Sequence, residues 1–171
     1  MDKKTREKIE KYVKLFRWTP KDFYWHHAYE VRRLALLIQR RIGGDKEVIE
    51  VSSLLHDIGK ARLLAPGHEK ISAKLTKTIL NKSDFDKSKI KAATDCIKYK
   101  TPASLETKIL RSADSMALIT DKWGGREWYF KSVLKNKKNI LKELKKSYTE
   151  IGFDFAKQLV RKRYQKLNRN L

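Results

Sequence analysis

Residues 46–60 read KEVIEVSSLLHDIGK, and this stretch begins as an amphipathic helix and ends on polar residues. Apolar and small residues recur in it at spacings of three and four, which predicts one buried helical face: Val48, Val51, Ser52 and Leu55. His56 and Asp57 follow where that face calls for apolar residues. Neighbouring residues point about 100° apart on an ideal helix, so both side chains reach one point only at a helix end. Gly59 supplies that break.

Helices are predicted on both sides of this stretch. The chain has only 3 Pro and 7 Gly, and no segment alternates for long in the manner of a strand. Asp45 is the predicted N-cap of the helix that starts at residue 46. We therefore expect an all-α, single-domain helical bundle. The predicted helices span residues 5–16, 22–41, 46–56, 68–80, 86–99 and 104–121, with further helices from 126 that are interrupted near 152.

Length and composition limit the classes of protein that fit. A chain of 171 residues has the usual size of one domain, and its 40% hydrophobic residues suffice for a core. No apolar run approaches the roughly 20 residues of a membrane span, and the first residues lack the apolar centre of a signal peptide. A single cysteine, Cys96, allows no disulfide within the chain. We therefore expect a cytoplasmic protein with no membrane partner.

The charge is strongly positive and unevenly distributed. Lys and Arg number 41 against 20 Asp and Glu, a formal net charge of +21, and residues 122–171 hold 15 of the basic and 4 of the acidic residues. Such a surface attracts nucleic acid, anionic membranes or phosphorylated small molecules. A lysine-rich composition with a solvated helix face would give the same pattern. Both interpretations stay open at this point.

The basic C-terminal segment also carries apolar residues, so it is more than a solvated arm. The residues expected to pack inward are Phe153, Ala156, Leu159, Val160 and Leu167. The basic residues expected to face an anionic partner are Lys142, Lys145, Lys146, Arg161, Lys162 and Arg163. We expect weak, salt-sensitive nucleic-acid binding through these helices.

Side chains that bind metals recur in the first two thirds of the chain. The histidines are His26, His27, His56 and His68, and Asp57 and Asp114 supply carboxylates. Imidazole and carboxylate suit divalent metals of intermediate hardness, and helical bundles build such sites from facing helices. Taken singly, each residue could instead be a packed core histidine or a surface aspartate. Together they favour one ion that is shared by residues of several helices.

Three runs together resemble the HD-domain phosphohydrolase superfamily: HAYEVRRLA at 27–35, SLLHDIGK at 53–60 and LETKILRSAD at 105–114. The signature of that superfamily is a histidine, a His-Asp doublet and a distal aspartate on an all-α bundle. The resemblance covers about residues 20–122. We therefore expect an N-terminal helix over 1–19, an HD-type metal-binding core over 20–122, and basic C-terminal helices over 123–171 packed on that core.

The resemblance implies one divalent metal ion held by His27, His56, Asp57 and Asp114. Ions that suit these ligands are Mn, Fe, Co, Ni, Zn and Mg. Dinuclear members of the superfamily carry further histidines between the matching segments, whereas this chain has Lys98 there. We therefore expect a mononuclear site.

The function implied is hydrolysis of a phosphate ester or anhydride of a nucleotide or related small molecule by a metal-activated water. Asp57 is expected to orient or deprotonate the water, and Lys60 to stabilise the phosphate charge. His68, Arg62 and His26 are further candidates for contact with the substrate or with the metal ligands. Two alternatives stay open: a protein that binds or hydrolyses nucleic acid, and an inactive module that binds a nucleotide or a protein.

Overall fold

The computed structural model describes residues 1, 3–15, 23–61, 67–83, 85–99, 101–122 and 124–171, without the side chains of residues 23 and 61. All regular structure in these residues is helical, so the all-α prediction is confirmed. The elements are α1 (Lys3–Leu15), α2 (Phe23–Ile42), α3 (Lys46–Leu55), a 3-10 turn (Ile58–Ala61), α4 (His68–Leu80), α5 (Lys87–Ile97), α6 (Leu105–Thr120), α7 (Gly125–Tyr129), a π-helical segment (Phe130–Leu134), α8 (Lys137–Glu150) and α9 (Asp154–Arg169).

Polar caps set where several helices begin. The Asp45 carboxylate accepts hydrogen bonds from the backbone N–H groups of Glu47 and Val48, as predicted. Ser104 caps α6 by accepting from the N–H of Thr107. Such a cap contributes about 1 kcal/mol to helix stability. The helix predicted over 68–80 has the observed bounds, and the helices predicted over 46–56, 86–99 and 104–121 begin and end within two residues of the observed ones. The predicted ends at residues 16 and 22 lie outside the described residues. The break between Leu134 and Lys137 was not predicted.

Helix α3 is buried along most of its length. Its residues from Val48 to Leu55 are all buried, and it packs against α2, α5 and α6. The face of α2 that meets the core carries the residues expected there: Val31, Leu34, Ala35 and Ile38. Each large apolar side chain buried in this way contributes about 1.5–3 kcal/mol. Because α3 is buried, His56 and Asp57, which follow it, lie inside the molecule.

Helices α8 and α9 pack on α6. Leu144 of α8 is buried, as are Ala156 and Val160 of α9. The rings of Tyr148 and Tyr164 stack in parallel between α8 and α9, with centroids 4.2 Å apart. The basic C-terminal segment is therefore anchored by an apolar face. None of the helices in the described ranges is long and apolar enough to cross a membrane.

The prediction that Leu159 packs inward is wrong. Its side chain is 60% exposed, whereas its neighbour Val160 is 1% exposed. The two side chains point about 100° apart around α9, and this offset turns Leu159 out of the contact with α6. Phe153 and Leu167 are partly buried against the core, as expected.

Candidate metal centre

Two histidines from different helices face each other at the end of α3. His27 lies on α2 and His56 is the C-cap of α3, and their Nε2 atoms are 3.3 Å apart. The second ring nitrogen of His56, Nδ1, lies 2.9 Å from the carbonyl oxygen of Ser53. A carbonyl only accepts, so Nδ1 carries the proton and donates it. Nε2 of His56 therefore offers a lone pair towards His27.

Two aspartates complete a cluster around these nitrogens. Asp57 Oδ2 lies 3.5 Å from Nε2 of both histidines. Asp114 Oδ1 lies 3.2 Å from Nε2 of His27 and 3.6 Å from Nε2 of His56. We call the four atoms His27 Nε2, His56 Nε2, Asp57 Oδ2 and Asp114 Oδ1 the donor cage. The structure thus brings together all four residues that the sequence singled out as metal ligands.

The size of the donor cage suits a divalent transition metal. Ligand atoms about 2.1 Å from an ion lie about 3.0 Å apart in octahedral and about 3.4 Å apart in tetrahedral coordination. The five distances given above run from 3.2 to 3.6 Å. These donor–donor distances are close to the ligand–ligand distance in tetrahedral coordination and are a few tenths of an ångström longer than that in octahedral coordination. By spacing and by chemistry, the four residues fit such an ion.

The donor cage is buried and strongly charged. His56 and Asp57 are each 2% exposed. Burial opposes ionisation of Asp57, but the adjacent His56 imidazole and the Lys60 ammonium group hold the pKa of Asp57 well below its usual value. Burial also opposes protonation of His27, but hydrogen bonds to Asp114 and Asp57 raise its pKa to about 9. Both carboxylates therefore favour a cation at the point where the rings meet.

Asp57 also contacts two basic side chains outside the donor cage. Lys60, in the 3-10 turn, donates a hydrogen bond from Nζ to Asp57 Oδ2. His68, the first residue of α4, lies with Nε2 3.1 Å from Asp57 Oδ1, and the ionised carboxylate accepts that hydrogen bond. Lys60 and His68, both predicted to act near the substrate, are thus placed beside the cage.

Helix α4 reaches Asp57 because Gly59 has no side chain. A Cβ on Gly59 would lie 2.4 Å from the carbonyl oxygen of His68 and 2.7 Å from the backbone nitrogen of Ser72. The Gly59 N–H donates a hydrogen bond to Ser72 Oγ at 2.9 Å. The first turn of α4 therefore packs directly on the backbone of the 3-10 turn. This contact explains the glycine better than the backbone break expected from the sequence.

Two residues named in the sequence analysis, His26 and Lys98, do not join the donor cage, and a third lies outside the described residues. His26 is half-buried beside His27 on α2, and its ring is not among the clustered donor atoms of the described residues. Arg62 lies outside the described residues. Lys98, at the place where dinuclear members carry a histidine, is the exposed C-cap of α5.

Three further residues lie near the donor cage and had no signal in the sequence. Burial and the Asp114 carboxylate raise the pKa of the Tyr99 hydroxyl well above its usual value. Burial raises the pKa of Tyr129, and the charge of Lys60 opposes that rise. The guanidinium of Arg111 lies over the Tyr99 ring. These residues follow α5 or belong to α7 and α6, so no spacing along the chain connects them with the His-Asp doublet.

The HD domain family model matches residues 24–119 of this chain. That range is more than half of the 171 residues and includes all four residues of the donor cage. No curated protein matches the chain.

Solved structures share the fold over nearly the whole chain. Bacillus subtilis YpgQ in complex with ADP superposes with a TM-score of 0.74 at 19% identity, over 98% of this chain and 95% of that one. An HD-superfamily hydrolase from Bacillus thuringiensis has a TM-score of 0.65 at 20% identity, with coverages of 94% and 91%. A predicted HD superfamily hydrolase from an uncultured Thermotogales bacterium has a TM-score of 0.62 at 23% identity, with coverages of 92% and 91%. These structures share the fold of this chain. Because the HD domain family model matches more than half of its residues, the chain belongs to the HD domain family.

Proposed function

We propose that this chain is a metal-dependent phosphohydrolase that cleaves a phosphate ester or phosphoanhydride of a nucleotide or related small molecule. The observation that carries the proposal is the donor cage, in which two imidazole nitrogens lie 3.3 Å apart with carboxylate oxygens 3.2–3.6 Å from them. Electron-rich atoms held this close in a buried site are stabilised by a cation between them, and a divalent ion would take the place of the proton on His27. Membership of the HD family supports the same chemistry.

In this proposal His27, His56, Asp57 and Asp114 hold one divalent ion. When bound, such an ion polarises a phosphate oxygen and lowers the pKa of a water molecule. The carbonyl of Ser53 keeps His56 in the tautomer whose Nε2 is an acceptor. Asp57 is suited to hold the attacking water, because a carboxylate can bind an ion through one oxygen and accept a hydrogen bond through the other.

Lys60 and His68 are the residues proposed to stabilise the phosphate charge. Both contact Asp57, so both lie next to the donor cage. The Lys60 side chain is 28% exposed and is therefore open to an incoming substrate. A fixed cation beside the phosphoryl group stabilises the negative charge that develops in the transition state.

A nucleotide is the substrate class that we propose. Bacillus subtilis YpgQ, which shares the fold over nearly the whole chain, has been solved in complex with ADP. The net charge of +21 also favours the approach of an anionic substrate.

The test is a panel of nucleotides and phosphate esters, with metal content measured on the same preparation. The protein is stripped of metal and reloaded with Mn²⁺, Co²⁺, Ni²⁺ or Mg²⁺. We expect phosphate release that requires one bound ion per chain. Asp114→Asn should lose most of the metal and about 100-fold or more of the rate. Asp95→Asn, which alters an α5 carboxylate paired with Lys91, should keep both. No hydrolysis by metal-loaded protein would indicate an inactive binding module.

A second candidate role is nucleic-acid binding through α8 and α9. These helices hold 11 basic and 3 acidic residues, a net charge of +8 in 30 residues. The six basic residues predicted to face a partner are all exposed. None of the ion pairs between described residues involves α8 or α9. Lysines of other helices do pair with acidic residues one turn away: Lys3 pairs with Glu7, and Lys91 pairs with Asp95. Cations without acidic partners favour a polyanion.

Charge reversal on α8 distinguishes nucleic-acid binding by this helix from attraction by the net charge of the whole protein. The test variant is Lys142→Glu/Lys145→Glu on α8, and the control variant is Lys74→Glu/Lys77→Glu on α4. Each replaces two exposed lysines that lie three residues apart, so the change in total charge is the same. At about 50 mM salt, where exposed charges are little screened, we expect polynucleotide affinity to fall about 10-fold or more for the α8 variant, with a shallower salt dependence. Equal losses in the two variants would assign the binding to overall charge and contradict the role.

A further inference from the structure

Tyr99 occupies a backbone conformation that residues with side chains rarely adopt. It follows the C-cap of α5 and has a φ of 51°, in the left-handed region. Helices commonly end in glycine at this point, because glycine has no Cβ to clash. Strained backbone that persists near a functional site is a reason to look for a role of the side chain that it places.

The side chain of Tyr99 supports an arginine. The guanidinium carbon of Arg111, on α6, lies 4.7 Å from the centroid of the Tyr99 ring. Arg111 is exposed, and none of the ion pairs between described residues involves it. An aromatic face orients a guanidinium without neutralising its charge. Arg111 is therefore a positioned cation that keeps its hydrogen-bonding capacity.

Helical spacing places this cation on the Asp114 side of the donor cage. Arg111 precedes Asp114 by three residues on α6, so the two side chains share one face of the helix. Asp114 Oδ1 lies 3.2 Å from Nε2 of His27. Lys60 and His68 contact Asp57, the other carboxylate of the cage. Each aspartate of the donor cage thus has a basic group near it: Lys60 and His68 for Asp57, and Arg111 for Asp114.

We propose that Arg111, held on the ring of Tyr99, binds a second phosphate group of the substrate. The inference rests on the proposed phosphohydrolase function and narrows it to substrates with two or more linked phosphates. A planar guanidinium binds phosphate oxygens in pairs, which a lysine cannot do. Because the Tyr99 ring orients the guanidinium in advance, less side-chain freedom is lost on binding.

The test compares adenosine diphosphate with adenosine monophosphate by calorimetry, with and without Mn²⁺. Arg111→Ala should weaken binding of the diphosphate about 10- to 100-fold, the range for loss of a charged hydrogen bond. Binding of the monophosphate should change less than about twofold. Tyr99→Leu should also weaken binding of the diphosphate. Tyr99→Phe keeps the ring and should therefore keep most of the affinity for the diphosphate.

Arg41→Ala is the matched control. The Arg41 guanidinium carbon lies 4.5 Å from the centroid of the Phe155 ring, so this variant loses the same charge and the same kind of ring contact elsewhere. It should bind both nucleotides as the wild type does. Equal effects of Arg111→Ala on the two nucleotides, or an effect no larger than that of Arg41→Ala, would overturn the inference.

The two proposals fail in different ways. If the wild type takes up no divalent metal and hydrolyses no phosphate ester, the proposed function is contradicted. In that case, tighter binding of the diphosphate than of the monophosphate that depends on Arg111 would still support the second phosphate site. A wild type that hydrolyses monophosphates and binds no diphosphate contradicts the second phosphate site alone.

Discussion

Arg32 of α2 donates a hydrogen bond from Nε to Oε1 of Glu50, at 2.9 Å, in the interior of the bundle. Glu50 is 1% exposed, and the Nε atom of Arg6 on α1 lies 3.2 Å from the same oxygen. A buried carboxylate thus connects three helices through two guanidinium groups. Breaking a buried pair by removing one partner leaves an uncompensated charge, which is the costly outcome.

Glu50→Gln should therefore destabilise the protein although the side chain keeps its shape. The variant leaves Arg32 partly buried without its carboxylate, and we expect a loss of about 3 kcal/mol in the free energy of unfolding. Urea denaturation measures it. Glu7→Gln is the control, because Glu7 forms an exposed pair with Lys3 at 3.8 Å and should cost less than about 0.5 kcal/mol. Similar losses for the two variants would show that burial of Glu50 is unimportant.

Gly59→Ala should destabilise the packing of α4 on the 3-10 turn. The added Cβ meets backbone atoms at 2.4 and 2.7 Å, which cannot rotate away. We expect a loss of about 1–3 kcal/mol, together with a weaker contact of His68 with Asp57. Gly152→Ala is the control, since its Cβ would lie 3.5 Å from Ser112 Oγ, and it should stay within about 0.5 kcal/mol of the wild type. Equal stability of the two variants would contradict the close packing.

Asp57→Ala should abolish the response of the protein to divalent metal. An ion that binds the folded chain alone stabilises it by about 2.7 kcal/mol at a concentration 100 times the dissociation constant. The wild type should therefore melt at a higher temperature with Mn²⁺ than with a chelator, and the variant should melt at the same temperature in both. The measurement is this difference, so a change in the metal-free stability of the variant does not affect the conclusion. A full metal shift in the variant would argue against Asp57 as a ligand.

The exposure of Leu159 predicts that its replacement has little effect on the stability of the protein. Leu159→Ser should change the free energy of unfolding by less than about 0.5 kcal/mol, because its side chain is 60% exposed. Leu144→Ala on α8 should cost about 2–5 kcal/mol, because Leu144 is fully buried. Thermal or urea unfolding of the two variants checks the packing of both helices. A large loss for Leu159→Ser would mean that this side chain is covered in solution.

Much of the local structure could be predicted from the sequence, because it depends on residues within a turn or two of each other. Asp45 caps α3 as expected, and α4 spans the predicted residues 68–80. The four residues of the donor cage are those that the resemblance to the HD superfamily implies as metal ligands, and their residue types suit a divalent ion. Their role as ligands stays a prediction, although the structure brings their donor atoms together.

The sequence by itself determined the helical class and most helix boundaries to within two residues. Its resemblance to the HD superfamily named the four residues whose side chains cluster in the donor cage. Tertiary structure alone decided that Leu159 faces solvent, that Glu50 lies between two arginines and that Arg111 rests on Tyr99. The physical reason is that helical periodicity states which side of a helix is apolar, but not which neighbour covers it. Contacts between residues far apart in the chain depend on how whole helices pack, and no local pattern encodes that packing.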